Sequence, residues 1–547
     1  MPAEARNGGN ILVSALRLNG IDRIFGVPGE SALPIFDALY GDNNPIQFVV
    51  CRHEATASHM AEADGKMSGR PGICIVSRGP GAAHAMIGLH TAYQDSTPMI
   101  LIIGQVPRAH RGREAFQELN YTRVFADMTK WVGEIESADL ISEYVSRAFH
   151  IATQGRPGPV VLSIPEDVLS EMSGVSDAVP AIAAETAPMP AQMLQVRSLL
   201  QAAKRPLAIV GNLGWTAEAA DRFKEFVARS DIPVIAGFRS QDILDNRSDQ
   251  YIGDLSLGGS AALRERVKNA DLLLVIGDRL GDVTTKSYTL LDAPVPKQTL
   301  IHVFPGAEEL GRVYTPTLAI QSKSSHFADA LADIEPLDSS AWRQWREECR
   351  AAFVNYQSNP PKAAGFDLSQ VIRFLAERLP DDAIVTNGAG NYSIWLHRFY
   401  RYRKLGTQIA PKSGVMGYGL PAAIAAKLRH PGRDVVCLAG DGCFTMASPE
   451  FATAVQRNLP IVVIIVNNGM YGSIRMHQEI HFPGRPSGTM LLNADFALLA
   501  QSYGAHGEAI ERDEDFPAAF ERAVKARKPA IIELRVNANQ LTPDRVL

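Results

Sequence analysis

The amino-acid sequence predicts an α/β protein of three consecutive doubly wound domains, each built on a parallel sheet. Short runs rich in Ile and Val, apolar on both faces, alternate with longer helix-like stretches along the 547 residues. Two stretches without periodicity, 170–191 and 358–365, divide this pattern into blocks of about 150–180 residues, a usual domain size. We therefore expect domains at 1–170, 190–340 and 362–547.

Each block supplies its own predicted strands. In the first block we expect strands at 46–50, 72–76, 99–104 and 159–165, with helices over 53–68 and 82–94. In the second block we expect strands at 207–210, 233–236, 272–276 and 300–304. In the third block we expect them at 383–386, 434–438, 461–466 and 530–536. Such sheets bind ligands at the carboxyl ends of their strands, so functional residues are expected there.

The composition disfavours several classes of protein. With 54 Lys and Arg against 59 Asp and Glu, the net charge is −5, which argues against a nucleic-acid partner. The apolar runs are shorter than the ~18 residues of a membrane span, and the first residues lack a signal-peptide pattern. The five cysteines are scattered without a CxxC pair, so we expect no disulfide framework or zinc site, and a cytoplasmic location.

Glycine-rich motifs follow the predicted strands of the third block. Strand 434–438 runs into Gly440-Asp441-Gly442, and strand 461–466 runs into Asn467-Asn468-Gly469. Adjacent parallel strands would bring the Asp and the Asn together, and such oxygen ligands suit Mg²⁺ with phosphates. Glycines also let backbone N–H groups approach a phosphate, and Asn387-Gly388-Ala389-Gly390-Asn391 opens toward the same edge. Either motif alone could equally be an ordinary tight turn.

Taken together, with 24 residues between Gly442 and Asn467, these motifs are far more specific. They resemble the signature of the thiamine diphosphate enzymes of the acetohydroxyacid synthase and 2-oxo-acid decarboxylase type. The resemblance covers essentially the whole chain and implies a pyrimidine-binding, a central Rossmann-like and a diphosphate-binding domain. It implies that Asp441, Asn468 and the Met470 carbonyl bind Mg²⁺. It further implies a group of residues around the diphosphate, namely Gly388, Gly390, Asn391, Gly440, Gly442, Cys443, Tyr471 and Gly472.

Glu54 is the expected catalytic acid–base group. It stands at the head of the predicted helix 53–68, where a carboxylate could simply compensate the helix dipole. However, this helix and the following SRGPG segment (Ser77–Gly81) resemble the family's catalytic-Glu helix and its glycine-rich neighbour. The resemblance implies that Glu54 hydrogen-bonds N1′ of the aminopyrimidine. This contact favours the imino tautomer, whose N4′ can take the weakly acidic thiazolium C2 proton.

Further residues are assigned to the cofactor by the same resemblance. In Ser413–Pro421, the Gly414 carbonyl is implied to accept from the 4′-amino group, and Met416 to hold the cofactor bent, although such a Met could be plain core. Gly29 is also expected on the cofactor side. Because the family builds each active site across two subunits, the resemblance implies a homodimer or homotetramer and leaves a regulatory subunit open.

The substrate side rests on three motifs. Phe116 and Gln117 lie in an AFQE segment like that of acetohydroxyacid synthases, and Lys130 matches their substrate-side lysine, although a solvated surface charge is the alternative. His477 stands where those enzymes carry a Trp that shapes the acceptor pocket; it is either a surface residue or a polar pocket residue. His84, in GPGAAH, stands where the family has Asn.

These features predict a thiamine diphosphate- and Mg²⁺-dependent enzyme that decarboxylates a 2-oxo acid, with pyruvate expected, and ligates the product to a second carbonyl. A non-ligating decarboxylase, or a lyase of 2-hydroxy ketones, is the alternative on the same scaffold. A nicotinamide or flavin oxidoreductase is disfavoured, because no convincing GxGxxG fingerprint follows a first strand. FAD as a non-catalytic cofactor is possible but not favoured, since Gly211–Gly214 and Ile276–Leu280 are explained as turns.

Overall fold

The computed structural model describes residues 5–41, 44–358, 360 and 365–547. Residues 1–4, the expected boundary at 362 and most of the second predicted linker lie outside this described part. The described chain contains three six-stranded parallel sheets with intervening helices and two small antiparallel pairs. The predicted α/β fold class is therefore confirmed, whereas the domain boundaries stay predictions.

The first sheet is formed by the chain up to residue 184. This part of the chain contains the strands β1 (Arg6–Asn7), β2 (Arg23–Gly26), β3 (Gln47–Val50), β4 (Gly72–Ser77), β5 (Met99–Gln105), β6 (Trp131–Glu134), β7 (Pro159–Pro165) and β8 (Met172–Ser173). Its helices are α1 (Gly8–Leu18), α2 (Leu33–Ala38), α3 (Glu54–Ser68), α4 (Arg78–Asp95), α5 (Tyr121–Phe125), α6 (Ile141–Thr153) and α7 (Glu166–Ser170). The parallel sheet has the order β3-β2-β4-β5-β7-β6, and β1 pairs with β8. Helices cover both faces, so β5 and β7 are buried along their whole length.

The second sheet follows the irregular stretch after β8. Its strands are β9 (Pro206–Val210), β10 (Val234–Ala236), β11 (Tyr251–Asp254), β12 (Leu272–Ile276), β13 (Thr299–Phe304) and β14 (Leu318–Gln321). The helices are α8 (Pro190–Ala202), α9 (Ala217–Arg229), α10 (Ala261–Asn269), α11 (Ser324–Ala332) and α12 (Arg343–Ser358). The strand order is β11-β10-β9-β12-β13-β14, all parallel.

The third sheet is built from the chain after residue 365. Its strands are β15 (Ile384–Asn387), β16 (Gln408–Ile409), β17 (Val435–Gly440), β18 (Val462–Asn467), β19 (His506–Ile510) and β20 (Ala530–Arg535), followed by the hairpin β21 (Gln540–Thr542) and β22 (Arg545–Val546). The helices are α13 (Leu368–Arg378), α14 (Tyr392–Phe399), α15 (Gly419–Arg429), α16 (Asp441–Thr445), α17 (Phe451–Gln456), α18 (Gly472–His481), α19 (Phe496–Ser502) and α20 (Phe516–Lys525). The order is β16-β15-β17-β18-β20-β19, so β15, β17 and β18 are successive neighbours.

Contacts divide the described chain into two compact units. Unit 1 contains the first sheet together with Pro411–Gly432 and Thr445–Leu459. Unit 2 contains the second and third sheets. Within unit 1, α15 packs against α3, the helix that begins with Glu54.

Two further findings concern the predictions from composition. Among the described residues, no helix is long and apolar enough to cross a membrane. All five cysteines are buried, and none of them forms a disulfide among the described residues.

Candidate active site

Glu54 is the first residue of α3, just beyond the carboxyl end of β3. The preceding His53 caps the helix, because its Nδ1 accepts a hydrogen bond from the Ala55 N–H over 3.1 Å. A carboxylate in the first turn is stabilised by the free N–H groups and the helix dipole. The chain therefore fixes Glu54 at the edge of the first sheet where ligands bind.

The Glu54 carboxylate lies against the glycine-rich start of α4. Its Oε2 is 2.9 Å from His84 Nδ1, and its side chain is 19% exposed. A Cβ on Gly81 would stand 3.6 Å from Glu54 Oε1, which is ordinary van der Waals contact, and no described donor bonds to this oxygen. At Gly29 the glycine is needed for packing, because a Cβ there would stand 2.3 Å from that of Ser77.

The AFQE segment forms a closed loop beyond β5, at the same edge of the first sheet. Both oxygens of Glu118 accept backbone N–H groups, from Gly112 and Ala115. Gln117 has a positive φ of 66°, and its carbonyl accepts from the Gly79 N–H at the start of α4. Phe116 is 77% exposed. The loop thus presents Phe116 and Gln117 outward beside the segment that contacts Glu54.

Lys130 lies at the other edge of the first sheet. It directly precedes β6, which runs parallel to β7, so it lies at the amino ends of these strands. Its Nζ donates to the Gln154 carbonyl over 2.7 Å. The structure of unit 1 therefore does not bring Lys130 to the edge that carries Glu54 and Gln117.

The segment with Gly414 and Met416 belongs to unit 1 and is anchored by Asp95, the last residue of α4. The Asp95 carboxylate accepts the N–H groups of Lys412 and Ser413 over 2.8 and 2.9 Å. Gly414 follows directly with φ of 70°, a conformation that favours glycine. Met416 is half-buried.

A buried charged network ties this segment to α3. Lys66 donates to Asp95 over 2.6 Å and forms an ion pair with Glu62 at 3.1 Å, while the Tyr418 hydroxyl donates to Glu62. Burial alone would lower the pKa of Lys66, but the carboxylates of Asp95 and Glu62 raise it. Burial also lowers the pKa of the neighbouring His59 to about 4.

In unit 2, Asp441 stands where β17 ends and α16 begins. It is 2% exposed, and its oxygens accept the N–H groups of Gly442 and Gly469, each over 2.9 Å, and Nδ2 of Asn493 over 2.8 Å. Burial raises the pKa of Asp441, and these hydrogen bonds lower it in part. The carboxylate is held rigidly at the end of β17.

The neighbouring strand end supplies further oxygen atoms. Residues 440 and 466 are paired in β17 and β18, so Asn467 and Asn468 follow directly beside Asp441. Asn468 Oδ1 accepts the Met470 N–H over 3.3 Å, and the Met470 carbonyl accepts the Gly472 N–H over 2.9 Å. A carboxylate, an amide oxygen and a carbonyl thus follow two adjacent strand ends, a donor set that fits Mg²⁺.

The third strand end is shaped by the Tyr392 ring. Added Cβ atoms on Gly390 and Gly440 would stand 2.8 and 3.0 Å from this ring. The Tyr392 hydroxyl accepts the Gly388 N–H over 3.1 Å and lies 3.6 Å from Cys443 Sγ. The glycines are therefore required for packing around Tyr392 as well as for any approach of a phosphate.

Helix α18 continues from the predicted ligands and has no buried residues. Its Ser473 hydroxyl donates to Asn391 Oδ1 over 2.8 Å, which ties the helix to the 388–391 loop. A Cβ on Gly442 would stand 2.6 Å from the Tyr471 ring, immediately before α18. His477 is exposed, and its ring stacks on that of His481 with centroids 6.3 Å apart.

Three residues around the third sheet were missed in the sequence analysis. Asn493 bridges Asp441 and Asn467; Glu533 accepts from Asn467 Nδ2 over 2.8 Å; and Arg239 donates to the Gly388 carbonyl over 2.6 Å. None lies in a recognisable motif. Only Arg239 could have been recognised from the sequence, because it is a positive charge near a predicted strand end.

The glycines of the second sheet have a packing explanation. A Cβ on Gly211 would stand 2.2 Å from the Gly277 carbonyl oxygen, because the ends of β9 and β12 touch through their backbones. This close approach accounts for both turns without a dinucleotide.

Comparisons with known proteins agree with this site chemistry. Family models match residues 6–124 (thiamine pyrophosphate enzyme, N-terminal TPP binding domain), 193–331 (central domain) and 388–534 (C-terminal TPP binding domain). The chain is 30% identical over 533 residues to the acetolactate synthase isozyme 2 large subunit of Escherichia coli, covering 97% of this chain and 96% of the relative. It is 32% identical over 548 residues to the acetolactate synthase large subunit of Parasynechococcus marenigrum, covering 98% and 88%. The chain therefore belongs to the thiamine pyrophosphate enzymes, and it is an enzyme that depends on thiamine diphosphate.

Proposed function

We propose that this enzyme decarboxylates a 2-oxo acid, with pyruvate as the donor, and ligates the product to a second carbonyl, as an acetolactate synthase does. The names of its relatives support this reaction. The observation that carries the proposal is the pairing of β17 with β18, which sets Asp441 beside Asn468 at adjacent strand ends.

We assign the binding of Mg²⁺ to Asp441, Asn468 and the Met470 carbonyl, with the diphosphate along the 388–391 loop and residues 440–443, 471 and 472. When bound, thiamine diphosphate supplies a carbon nucleophile and an electron sink for the leaving CO₂. The protein itself has to bind the charged diphosphate and to transfer a proton. We assign the proton transfer to Glu54, because its Oε2 is held by His84 and its Oε1 has no hydrogen-bond partner among the described residues.

The geometry of unit 1 supports a homodimer as the smallest active form. Helices α3 and α4 run side by side in the same direction: Gly81 lies near Glu54, and Asp95 contacts Lys66. Fourteen residues of helix separate Gly81 from Asp95, which corresponds to about 20 Å at 1.5 Å per residue. Glu54 therefore lies at one end of α4 and the segment anchored by Asp95 at the other.

One aminopyrimidine ring is far too small to reach both ends within one chain. If Glu54 binds its N1′ and the Gly414 carbonyl its 4′-amino group, the two residues belong to different chains. We therefore propose a homodimer, or a dimer of dimers, with each active site shared between subunits.

A non-ligating decarboxylase is the second candidate, and His477 is the observation that favours it. This imidazole is exposed, and by the family resemblance it stands where acetohydroxyacid synthases carry the acceptor-shaping Trp. A polar group there would favour water or a polar acceptor over a second pyruvate. FAD is not part of the proposal. The buried cysteines, none of which forms a disulfide among the described residues, are consistent with the cytoplasm, which we propose as the location.

A product analysis tests the proposed reaction. The purified protein, with thiamine diphosphate and Mg²⁺, is given pyruvate and a panel of 2-oxo acids and aldehydes, and products are identified by mass. Acetolactate from pyruvate is expected. Release of CO₂ with acetaldehyde alone identifies the decarboxylase, and His477→Trp should then increase the ligated fraction.

A further inference from the structure

Only one oxygen of the Glu54 carboxyl group has a hydrogen-bond partner among the described residues. Oε2 is 2.9 Å from His84 Nδ1, whereas no described donor bonds to Oε1, and a Cβ on Gly81 would stand in van der Waals contact with it at 3.6 Å. The oxygen assigned to the cofactor is therefore distinct from the oxygen that contacts His84.

His84 connects this carboxyl group to solvent. Its side chain is 52% exposed, whereas that of Glu54 is 19% exposed. An imidazole carries a nitrogen at each end, so one can serve Glu54 while the other exchanges protons with water. An amide side chain could make the same hydrogen bond but could not carry a proton.

His53 completes the cluster without offering the same path. Its ring lies against that of His84 with centroids 4.5 Å apart and 31° between the planes. Its Nδ1 accepts the Ala55 N–H, which commits that nitrogen to capping α3. His53 supports the His84 ring, and only His84 contacts the carboxylate through Nδ1.

We propose that His84 relays protons between solvent and Glu54 during activation of the cofactor. When Glu54 gains a proton, the Nδ1–H bond of His84 breaks, its proton forms an O–H bond with Glu54 Oε2, and Nε2 takes a proton from a water molecule, whose hydroxide is released to solvent. The reverse sequence returns a proton to solvent, so no oxidant or further reactant is needed. This inference rests on the proposed role of Glu54 and adds a residue that acts through it.

The test measures exchange of the cofactor C2 proton for deuterium on the full-length protein, by acid quench and NMR. Wild-type protein with thiamine diphosphate and Mg²⁺ is compared with His84→Asn, which keeps a polar side chain but carries no proton. We expect His84→Asn to slow exchange about 100-fold, at the lower end of the range for a lost proton-transfer group, with cofactor affinity nearly unchanged. A rate within about three-fold of wild type, at equal cofactor occupancy, would overturn the relay.

Chemical rescue distinguishes proton transfer from simple positioning. In His84→Ala, added imidazole should restore exchange in proportion to its concentration, because the position is half exposed. Absence of rescue with the cofactor bound would leave His84 as a positioning residue and reject the relay. The matched control is His53→Asn, which removes the second ring and keeps a good helix cap; an equal loss there would also reject the assignment to His84.

The result separates this inference from the proposed function. If wild-type protein neither binds the cofactor nor exchanges its C2 proton, the proposed function fails. If wild-type protein exchanges rapidly and His84→Asn does so equally, the proposed function stands and the relay fails.

Discussion

Two carboxylates stand at strand ends of this enzyme, Glu54 in unit 1 and Asp441 in unit 2, and their surroundings differ. Asp441 is 2% exposed and accepts three hydrogen bonds from two backbone N–H groups and the Asn493 amide. Glu54 is 19% exposed, and its described hydrogen bond is to one imidazole. Both oxygens of Asp441 accept hydrogen bonds from fixed donors, whereas only Oε2 of Glu54 has a hydrogen-bond partner among the described residues.

The difference indicates two separate tasks. Fixed N–H donors hold a carboxylate in one orientation, which suits the static binding of a cation and a diphosphate. A carboxylate without fixed donors but with a titratable neighbour suits a group that gains and loses a proton in every cycle. This contrast supports the proposed division between charge binding at Asp441 and proton transfer at Glu54.

The first prediction tests the proton-transfer role of Glu54 with the variant Glu54→Gln. The amide keeps the size of the side chain but cannot exchange a proton, so we expect turnover to fall about 10²- to 10⁴-fold. Binding of thiamine diphosphate with Mg²⁺, measured by calorimetry, should be largely preserved. Glu143→Gln, at an exposed position on α6, is the matched control and should be fully active. Full activity of Glu54→Gln would remove its catalytic role.

The second prediction concerns the rigid carboxylate. Asn493→Ala removes the amide that donates to both Asp441 and Asn467 over 2.8 and 2.9 Å. Residues that orient metal ligands contribute about 10- to 100-fold to metal affinity. We therefore expect the Mg²⁺ concentration that gives half-maximal cofactor binding to rise at least ten-fold. The measurement is cofactor binding at increasing Mg²⁺ concentration, with the exposed Asn269→Ala as control. Unchanged affinity would show that Asp441 needs no such support.

Part of the fold and of the candidate site could be predicted from the sequence. Strands β7 and β12 match the predicted ranges 159–165 and 272–276, because continuous apolar runs mark strands buried on both faces. The two-residue β16 carries too little pattern to be recognised. The adjacency of Asp441 and Asn468 followed from the order of parallel strands, but Asn493 reaches Asp441 across 52 residues through tertiary folding alone.

Lys130 shows a limit of motif spacing. Its distance in sequence from Gln117 resembles that in the family, yet the sheet edge on which a residue lies depends on strand direction. Only the parallel pairing of β6 with β7 shows that Lys130 precedes its strand whereas the AFQE loop follows β5. The number of residues between Gln117 and Lys130 does not show on which edge of the sheet each of them lies.

The third prediction compares Gln117 and Lys130, which lie at opposite edges of the first sheet. Gln117→Ala removes a side chain at the edge that carries Glu54, and we expect kcat/KM for pyruvate to fall about ten-fold, or about 1.4 kcal/mol. Lys130→Ala, at the opposite edge, should change kcat/KM less than about two-fold. Steady-state kinetics on both variants provide the measurement. A larger loss in Lys130→Ala would restore its assignment to the substrate side.

The smallest expected effect is on the free energy of unfolding, and it concerns His59 on α3, the helix that begins with Glu54. The His59 ring is buried against Tyr418, and neither of its nitrogens has a hydrogen-bond partner among the described residues. Burial lowers its pKa from 6.5 to about 4, so the unfolded chain takes up a proton first as the pH falls.

Stability from neutral His59 is therefore complete above pH 6.5 and is lost as the pH falls toward 4. The shift corresponds to at most about 3 kcal/mol, at 1.36 kcal/mol per unit. His59→Phe keeps an aromatic ring of similar size and should lose less stability between pH 6.5 and 4 than wild type, as measured by urea unfolding. His150→Phe, on the partly exposed face of α6, is the control and should retain the wild-type slope. Equal slopes for His59→Phe and wild type would mean that the folded protein takes up a proton at His59 as readily as the unfolded chain, and the interior of unit 1 would then compensate that charge.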